Sequence, residues 1–156
     1  MKILKVKNNP DYIDFKTKNQ LIKTKGFYSY NNIKYKIINS IPRFVNSSNY
    51  SDAFGLQWNK YRTTQLDSFT GTTISEDRLQ NSISFPLDKL KGKLVLEVGS
   101  GAGRFTEVLL KYGATVYSSD YSNAVEANYK NNMPNKNLFL FQADLNNLPL
   151  DDNKFD

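Results

Sequence analysis

The chain has 156 residues, 39% hydrophobic and 13% aromatic, which suits one domain with a sizeable core plus an extension and excludes a disordered chain. With no Cys and no His it has no disulfides and neither of the usual zinc-ligand types, and no apolar run is long enough to span a bilayer. The net charge of +6 is uneven: residues 1–50 hold ten Lys/Arg against two Asp/Glu, and the rest hold eleven against thirteen.

Such a basic arm can attract nucleic acid, an anionic membrane surface or an acidic partner. No arginine cluster or nucleic-acid motif accompanies it, so a lysine-rich solvated surface is the favoured reading and nucleic acid the lesser one. Lysines break the first seven residues too often for a signal-peptide core, and a cytoplasmic location is expected.

Residues 1–22 show little periodicity beyond Ile3, Leu4 and Val6, and read as a short strand or a loose lead-in. Phe27-Tyr-Ser-Tyr30, then Asn31-Asn32, then Ile33 to Ile38 read as two strands joined by a two-residue turn, a hairpin. Residues 41–45 follow as an extended segment, with Pro42 unsuited to a central strand. Residues 50–68 read as a helix capped by Ser51, with Phe54, Trp58, Tyr61 and Gln65 on one face. Ser75 is a second expected N-cap, with Glu76 and Asp77 in the first turn and the helix ending before Pro86.

Leu94-Val-Leu-Glu97-Val is a strand, and Gly99-Ser-Gly101-Ala-Gly103 a tight turn after it. Phe105, Val108, Leu109 and Tyr112 then form one helical stripe, and Gly113 stands where a left-handed cap belongs. Residues 114–120 are a second parallel strand ending on Asp120, which lies 21 residues past Gly99. Asn123 and Glu126 have the spacing of a capping box for a helix reaching about Asn131, stopped by Pro134. Leu138 to Gln142 is the third strand, followed by a turn through Asp144 and Leu145. Residues 93–150 are thus expected to form a parallel βαβαβ unit.

A dinucleotide fingerprint needs Gly-x-Gly-x-x-Gly. Counted from Gly99 or from Gly101, the third glycine is replaced by Arg104 or Thr106. The pattern present is acid-x-Gly-x-Gly-x-Gly, with Glu97 at the strand end. A carboxylate there repels a pyrophosphate and suits a ligand carrying an ammonium and a sulfonium. In this motif, and in Asp120 and Asp144 following in order, residues 50–156 resemble the class I S-adenosylmethionine-dependent methyltransferases.

The resemblance implies an α/β fold with a partial doubly wound, Rossmann-like parallel sheet, strands 3-2-1 of the family, preceded by a small β-hairpin and helical extension. It divides the chain into a basic extension (1–49), a helical lid or linker (50–92) and a truncated cofactor-binding domain (93–156). It implies S-adenosyl-L-methionine as cofactor. Glu97 would hold its methionine ammonium through water, and Gly99, Ser100 and Gly101 would give backbone approach. Asp120 would take the ribose, Tyr121 would pack on the adenine, and Asp144 with the Leu145 amide would bind the adenine edge. Within Phe54-Gly-x-Gln-Trp58 and the residues after it, Gln57, Trp58 and Tyr61 would face the cofactor from a lid. The layout of the extension is similar to a zinc-ribbon-type module, but without cysteines no metal site is carried over.

No residue stands out as a general base, and none is assigned. The methyl acceptor, small molecule or macromolecule, is not named by the sequence. The stretch Leu148-Pro-Leu to Phe155-Asp156 resembles the approach to a fourth strand, so the first strand is expected to be left as an exposed apolar edge. A nicotinamide-dependent oxidoreductase is the alternative enzyme class, against which Glu97 and the missing third glycine both argue. A binding module that uses the basic arm is the non-enzymatic alternative.

Overall fold

The computed structural model describes residues 10–45 and 52–156, with Asp52, Ala53 and Phe54 described by their backbone alone. The expectations for Ile3, Leu4, Val6, Ser51 and the Phe54 side chain lie outside these residues.

Two sheets are present. The first is antiparallel, with β1 (Ile22–Thr24), β2 (Phe27–Tyr30), β3 (Ile33–Ile38) and β4 (Ile41–Pro42) in sequence order. β2 and β3 pair around the Asn31-Asn32 turn, where Asn31 takes φ 51°, a left-handed conformation that asparagine tolerates. Along β3, Ile33, Tyr35 and Ile37 are half-buried while Lys34, Lys36 and Ile38 are exposed, the alternation of a one-sided sheet. Pro42 sits in the short edge strand β4, opposite Ile37, where a missing amide costs least. β1 has all three residues exposed, so no burial pattern marked it in the sequence.

The second sheet is parallel, in the order β5 (Leu94–Val98), β6 (Thr115–Asp120), β7 (Leu138–Gln142). Helices α4 (Arg104–Lys111) and α5 (Val125–Asn132) connect these strands and cover one face. Because side chains alternate across a strand, Val116, Leu138 and Leu140 meet Val108, Leu109 and Val125 on that side. Tyr117, Phe139 and Phe141 point the other way, and there the N-terminal module covers them. Tyr12, 1% exposed, has its ring 5.0 Å from Tyr28, 5.0 Å from Phe44 and 5.4 Å from Phe141. These rings pack the N-terminal module onto the parallel sheet. Backbone bonds seal the junction: Phe44 N donates to Gln142 O (2.8 Å) and Ile13 N to Pro149 O (3.0 Å).

Three local expectations are corrected. The helix from residue 52 is α1 (Asp52–Lys60) and does not reach Gln65. The Thr64 hydroxyl donates to the Tyr61 carbonyl (2.9 Å), a local bond that competes with the helix, and Tyr61 is left 51% exposed. Ser75 does not cap. It lies inside α3 (Ile74–Ser82), buried, with its hydroxyl donating to Gln65 O. The cap comes from Asp67, at the start of the short helix α2 (Asp67–Thr70), whose two carboxylate oxygens accept the Ser75 and Glu76 amides at 2.9 Å each. Nor do Asn123 and Glu126 form a capping box. Ser122 Oγ accepts the Ala124 amide (3.1 Å), while Glu126 is drawn off to an ion pair with Arg43 and to Asn39 Nδ2. For Ser75 and for Glu126 a partner more distant in sequence outcompetes the local one.

Burial raises the Asp67 carboxyl, but the Ser75 and Glu76 amides outweigh it and hold the group below its ordinary range. Asp67→Ala is expected to lower folding stability by about 1–2 kcal/mol, the usual effect of losing an N-cap. Urea denaturation of the two proteins checks this, and an unchanged midpoint would show that the cap carries no stability.

Among the described residues, no strand pairs with the outer edge of β5. The Asp156 amide donates to Leu94 O (3.0 Å), and the Leu94 amide donates to the Asp156 carboxylate (2.8 Å). Beyond that point the edge runs along an apolar groove of about 430 Å³ walled by Leu79, Ile83, Phe85, Phe105 and Leu109.

Candidate functional site

The ends of β5 and β6 turn together. Gly99 and Ser100 both donate their amides to Ser119 O, at 2.9 and 3.0 Å, which ties the start of the glycine turn to the neighbouring strand. Gly99 takes φ 74°, and a Cβ built on it meets nothing within 4 Å. Its bare backbone therefore faces open space, the approach a ligand needs. The Ser100 hydroxyl is buried with no partner.

Gly101 takes φ 54° and donates its amide to Asp120 Oδ2 (2.9 Å). The other oxygen of Asp120 accepts the Ser122 amide (2.8 Å) and hydroxyl (2.7 Å). The acid at the end of the second strand thus clamps the turn. Each of its oxygens also has lone-pair capacity beyond these bonds. Over the same glycine lies the ring of Trp58, 3.3 Å from where a Gly101 Cβ would stand. Helix α1 is held there by Asn59, which donates to Asn123 O (3.0 Å), and by a close approach of Gly55 to Asn123. Of the three expected lid residues, Trp58 covers the turn, while Gln57 and Tyr61 are exposed.

Glu97 turns its carboxylate toward α4. Oε2 accepts the Thr106 hydroxyl in a short bond and the Ser118 hydroxyl at 2.8 Å, while Oε1 is buried without a partner. Burial pushes this carboxyl up to about 7; the two hydroxyls and the Thr106 amide pull it down, and the nearby Asp120 charge pushes it up. A half-satisfied buried carboxylate is a demand for a donor or cation at Oε1.

Tyr121 and Asp144 lie apart from the glycine turn, on a cavity of about 660 Å³ between the parallel sheet and the N-terminal module. Phe15, Tyr35, Arg43 and Gln142 also line it. Its floor is braced by Arg43, 8% exposed, which pairs with Glu126 and donates to Gln142 Oε1 (3.1 Å). Gln142 in turn donates to the Tyr121 carbonyl (2.9 Å). Asp144 caps the short 3-10 turn Leu145–Asn147 by accepting the Asn146 amide (2.9 Å), and the Leu145 side chain is 62% exposed. The structure therefore brings Glu97, Gly99, Ser100, Gly101 and Asp120 together at one turn, and Tyr121 and Asp144 together on the adjoining cavity. Leu145 flanks both. Among the described residues, no group of three or more acidic side chains converges to hold a metal ion, and no helix is long and apolar enough to cross a membrane.

Sequence reasoning missed the polar layer behind the turn. Asn128, fully buried on α5, donates Nδ2 to Thr106 Oγ1 (2.9 Å) and Ser118 Oγ (3.1 Å). Asn132 donates to Asn128 Oδ1 (2.9 Å) and to Gly103 O (3.1 Å). Polar residues on the inward faces of α4 and α5 were the available signal.

Residues 96–156 match the family described as methyltransferase domain. Among solved structures, the crystal structure of a candidate S-adenosyl-L-methionine-dependent methyltransferase from Methanococcus maripaludis superimposes with a TM-score of 0.50 at 19% identity. The match covers 72% of this chain and 51% of that one, so the chain spans about half of that protein's length. At this identity the likeness is one of fold. No curated protein sequence matches the chain.

Proposed function

We propose that this chain is the cofactor-binding N-terminal part of an enzyme that transfers a methyl group from S-adenosyl-L-methionine to an acceptor. The observation that carries the reading is the buried Glu97 carboxylate with one oxygen unmet, set beside the open backbone of Gly99. Those residues fit an amino-acid moiety: Glu97 Oε1 and the unpartnered Ser100 hydroxyl take its ammonium, directly or through water. Asp120 takes ribose hydroxyls with its remaining lone pairs. Tyr121, Asp144 and the Leu145 amide receive the adenine along the adjoining cavity, and Trp58 shields the turn from water. When bound, the cofactor supplies an electrophilic methyl on sulfur, and the protein contributes position and exclusion of solvent. The strand order β7-β6-β5 then corresponds to strands 3-2-1 of the family, with further strands adding beyond β5, where Asp156 already pairs with Leu94. The acceptor, small molecule or macromolecule, meets the methyl on that side, and the reaction belongs to the cytoplasm.

Calorimetric titration with S-adenosylmethionine and, separately, NAD tests the cofactor. Heat from the first alone is expected, whereas heat from NAD alone would replace this reading with the oxidoreductase one. A crevice needs two walls, and β5 supplies only one. Little methyl transfer from labelled cofactor is therefore expected from this chain beside one extended past Asp156. Equal turnover by both would refute the incomplete-site argument, and activity in neither would count against methyl transfer itself.

A further inference from the structure

The buried amides behind the glycine turn form a chain of donors with one direction. Asn132 Nδ2 donates to Asn128 Oδ1, which fixes the Asn128 amide with its nitrogen toward the sheet. That nitrogen donates to the oxygens of both Thr106 and Ser118. A hydroxyl that accepts from Asn128 has its own proton free, and both hydroxyls give that proton to the same oxygen, Glu97 Oε2. Among the described residues, Oε1 has no hydrogen-bond partner.

We propose that Asn128 is a positioning residue for Glu97: it orients the Thr106 and Ser118 hydroxyls onto Oε2, and so favours the carboxylate form of Glu97 and leaves its other oxygen for a cationic donor. That the donor is the ammonium of S-adenosylmethionine rests on the function proposed above; the orientation of Glu97 does not. Asn128 touches neither cofactor nor substrate in this scheme. It acts through two hydroxyls, and its amide is anchored to the turn itself, because Asn132 also donates to Gly103 O.

Few charges compete for control of Glu97. Asp120 on β6 faces it with like charge. Lys93 and Asp156, at the edge of β5, line the same apolar groove as Glu97 and pair with each other. On α4, Arg104 is directed at Gln65, Glu107 at the Asp67 and Ser68 amides, and Lys111 at Glu76. On α5, Glu126 pairs with Arg43 and Lys130 bonds Asn59. Neutral donors are therefore the main support of the charged form against burial.

The test is the titration of the Glu97 side-chain carboxyl, followed by carbon NMR in the 156-residue chain. Asn128→Leu is close in volume and uncharged, so it removes the donors without adding a field. Its Glu97 midpoint is expected to rise by about one pH unit, the scale of a hydrogen bond to a charged group. In a background of Thr106→Val and Ser118→Ala, the same replacement is expected to move the midpoint no further. Asn128→Ala serves as the second variant should the leucine perturb folding. An unchanged midpoint on losing the amide, or an equal rise with and without the hydroxyls, would overturn the proposal. Calorimetry with S-adenosylmethionine then separates the two claims: a shifted Glu97 in a protein that binds no cofactor would leave the orientation standing and sink the ligand.

Discussion

Gly103→Ala is expected to destabilise this protein by about 3 kcal/mol or more, a large part of the 5–15 kcal/mol that holds a domain together. Gly103 takes φ 86° at the start of α4, where an L-residue loses roughly 1–2 kcal/mol. The larger effect is steric. A Cβ there would overlap the side-chain amides of Asn128 and Asn132, both engaged in the buried network. Moving them would unmake the bonds to Thr106, Ser118 and the Gly103 carbonyl, leaving buried polar atoms without partners. Gly26 provides the control, because it has nearly the same φ, 88°, with no atom within 4 Å of a built Cβ. Gly26→Ala should show the backbone cost alone, about 1–2 kcal/mol. Chemical denaturation of both variants decides the matter, and equal losses would mean that the contact with the two amides is without consequence.

The same glycine shows how far the sequence could be read. Its place in acid-x-Gly-x-Gly-x-Gly told of a ligand-binding turn, because backbone freedom is written in the residue itself. That its hydrogen faces two asparagines was not legible, since those lie on a helix 25 and 29 residues further on. Thr106 is the sharper case. As the residue standing where a third glycine would be, it served only to argue against a dinucleotide, whereas in the fold it is the hydroxyl that binds Glu97. The parallel unit was readable for a simple reason: β5, β6 and β7 are short apolar runs separated by helical stripes, and each segment carries its own period. Capping was not. Asp67 serves Ser75 from eight residues away, and Glu126 leaves its own helix start for Arg43, 83 positions earlier. Spacing rules see neighbours in sequence, and these groups chose neighbours in space. The role of Tyr12 was equally invisible, since nothing local distinguishes a tyrosine at the centre of two packed sheets from one on the surface.

Glu97→Gln is expected to make the protein more stable and its site worse at the same pH. In the unfolded chain this carboxyl titrates near 4.5, and in the fold burial moves it up to about 7. Between those values the folded protein keeps a proton that the unfolded chain has released, so stability falls as pH rises through the window. The full difference, about 2.5 units, corresponds to roughly 3 kcal/mol lost between pH 4 and pH 8. Glutamine does not titrate, so the variant should lack this slope, match the native protein at pH 4 and exceed it in denaturation midpoint at pH 8. Part of that gain is offset because the amide offers one acceptor oxygen to the two hydroxyls and brings donors of its own into a buried place. If Glu97 faces the ammonium of the cofactor, affinity moves the other way. Loss of a charge-assisted bond worth about 1.5–3 kcal/mol weakens binding about ten- to a hundredfold at pH 8, as read by calorimetry. A destabilised variant that also bound poorly would show only that the site had collapsed. A variant that is firmer at pH 8 and yet binds less is the result that separates a residue kept for a ligand from one kept for the fold.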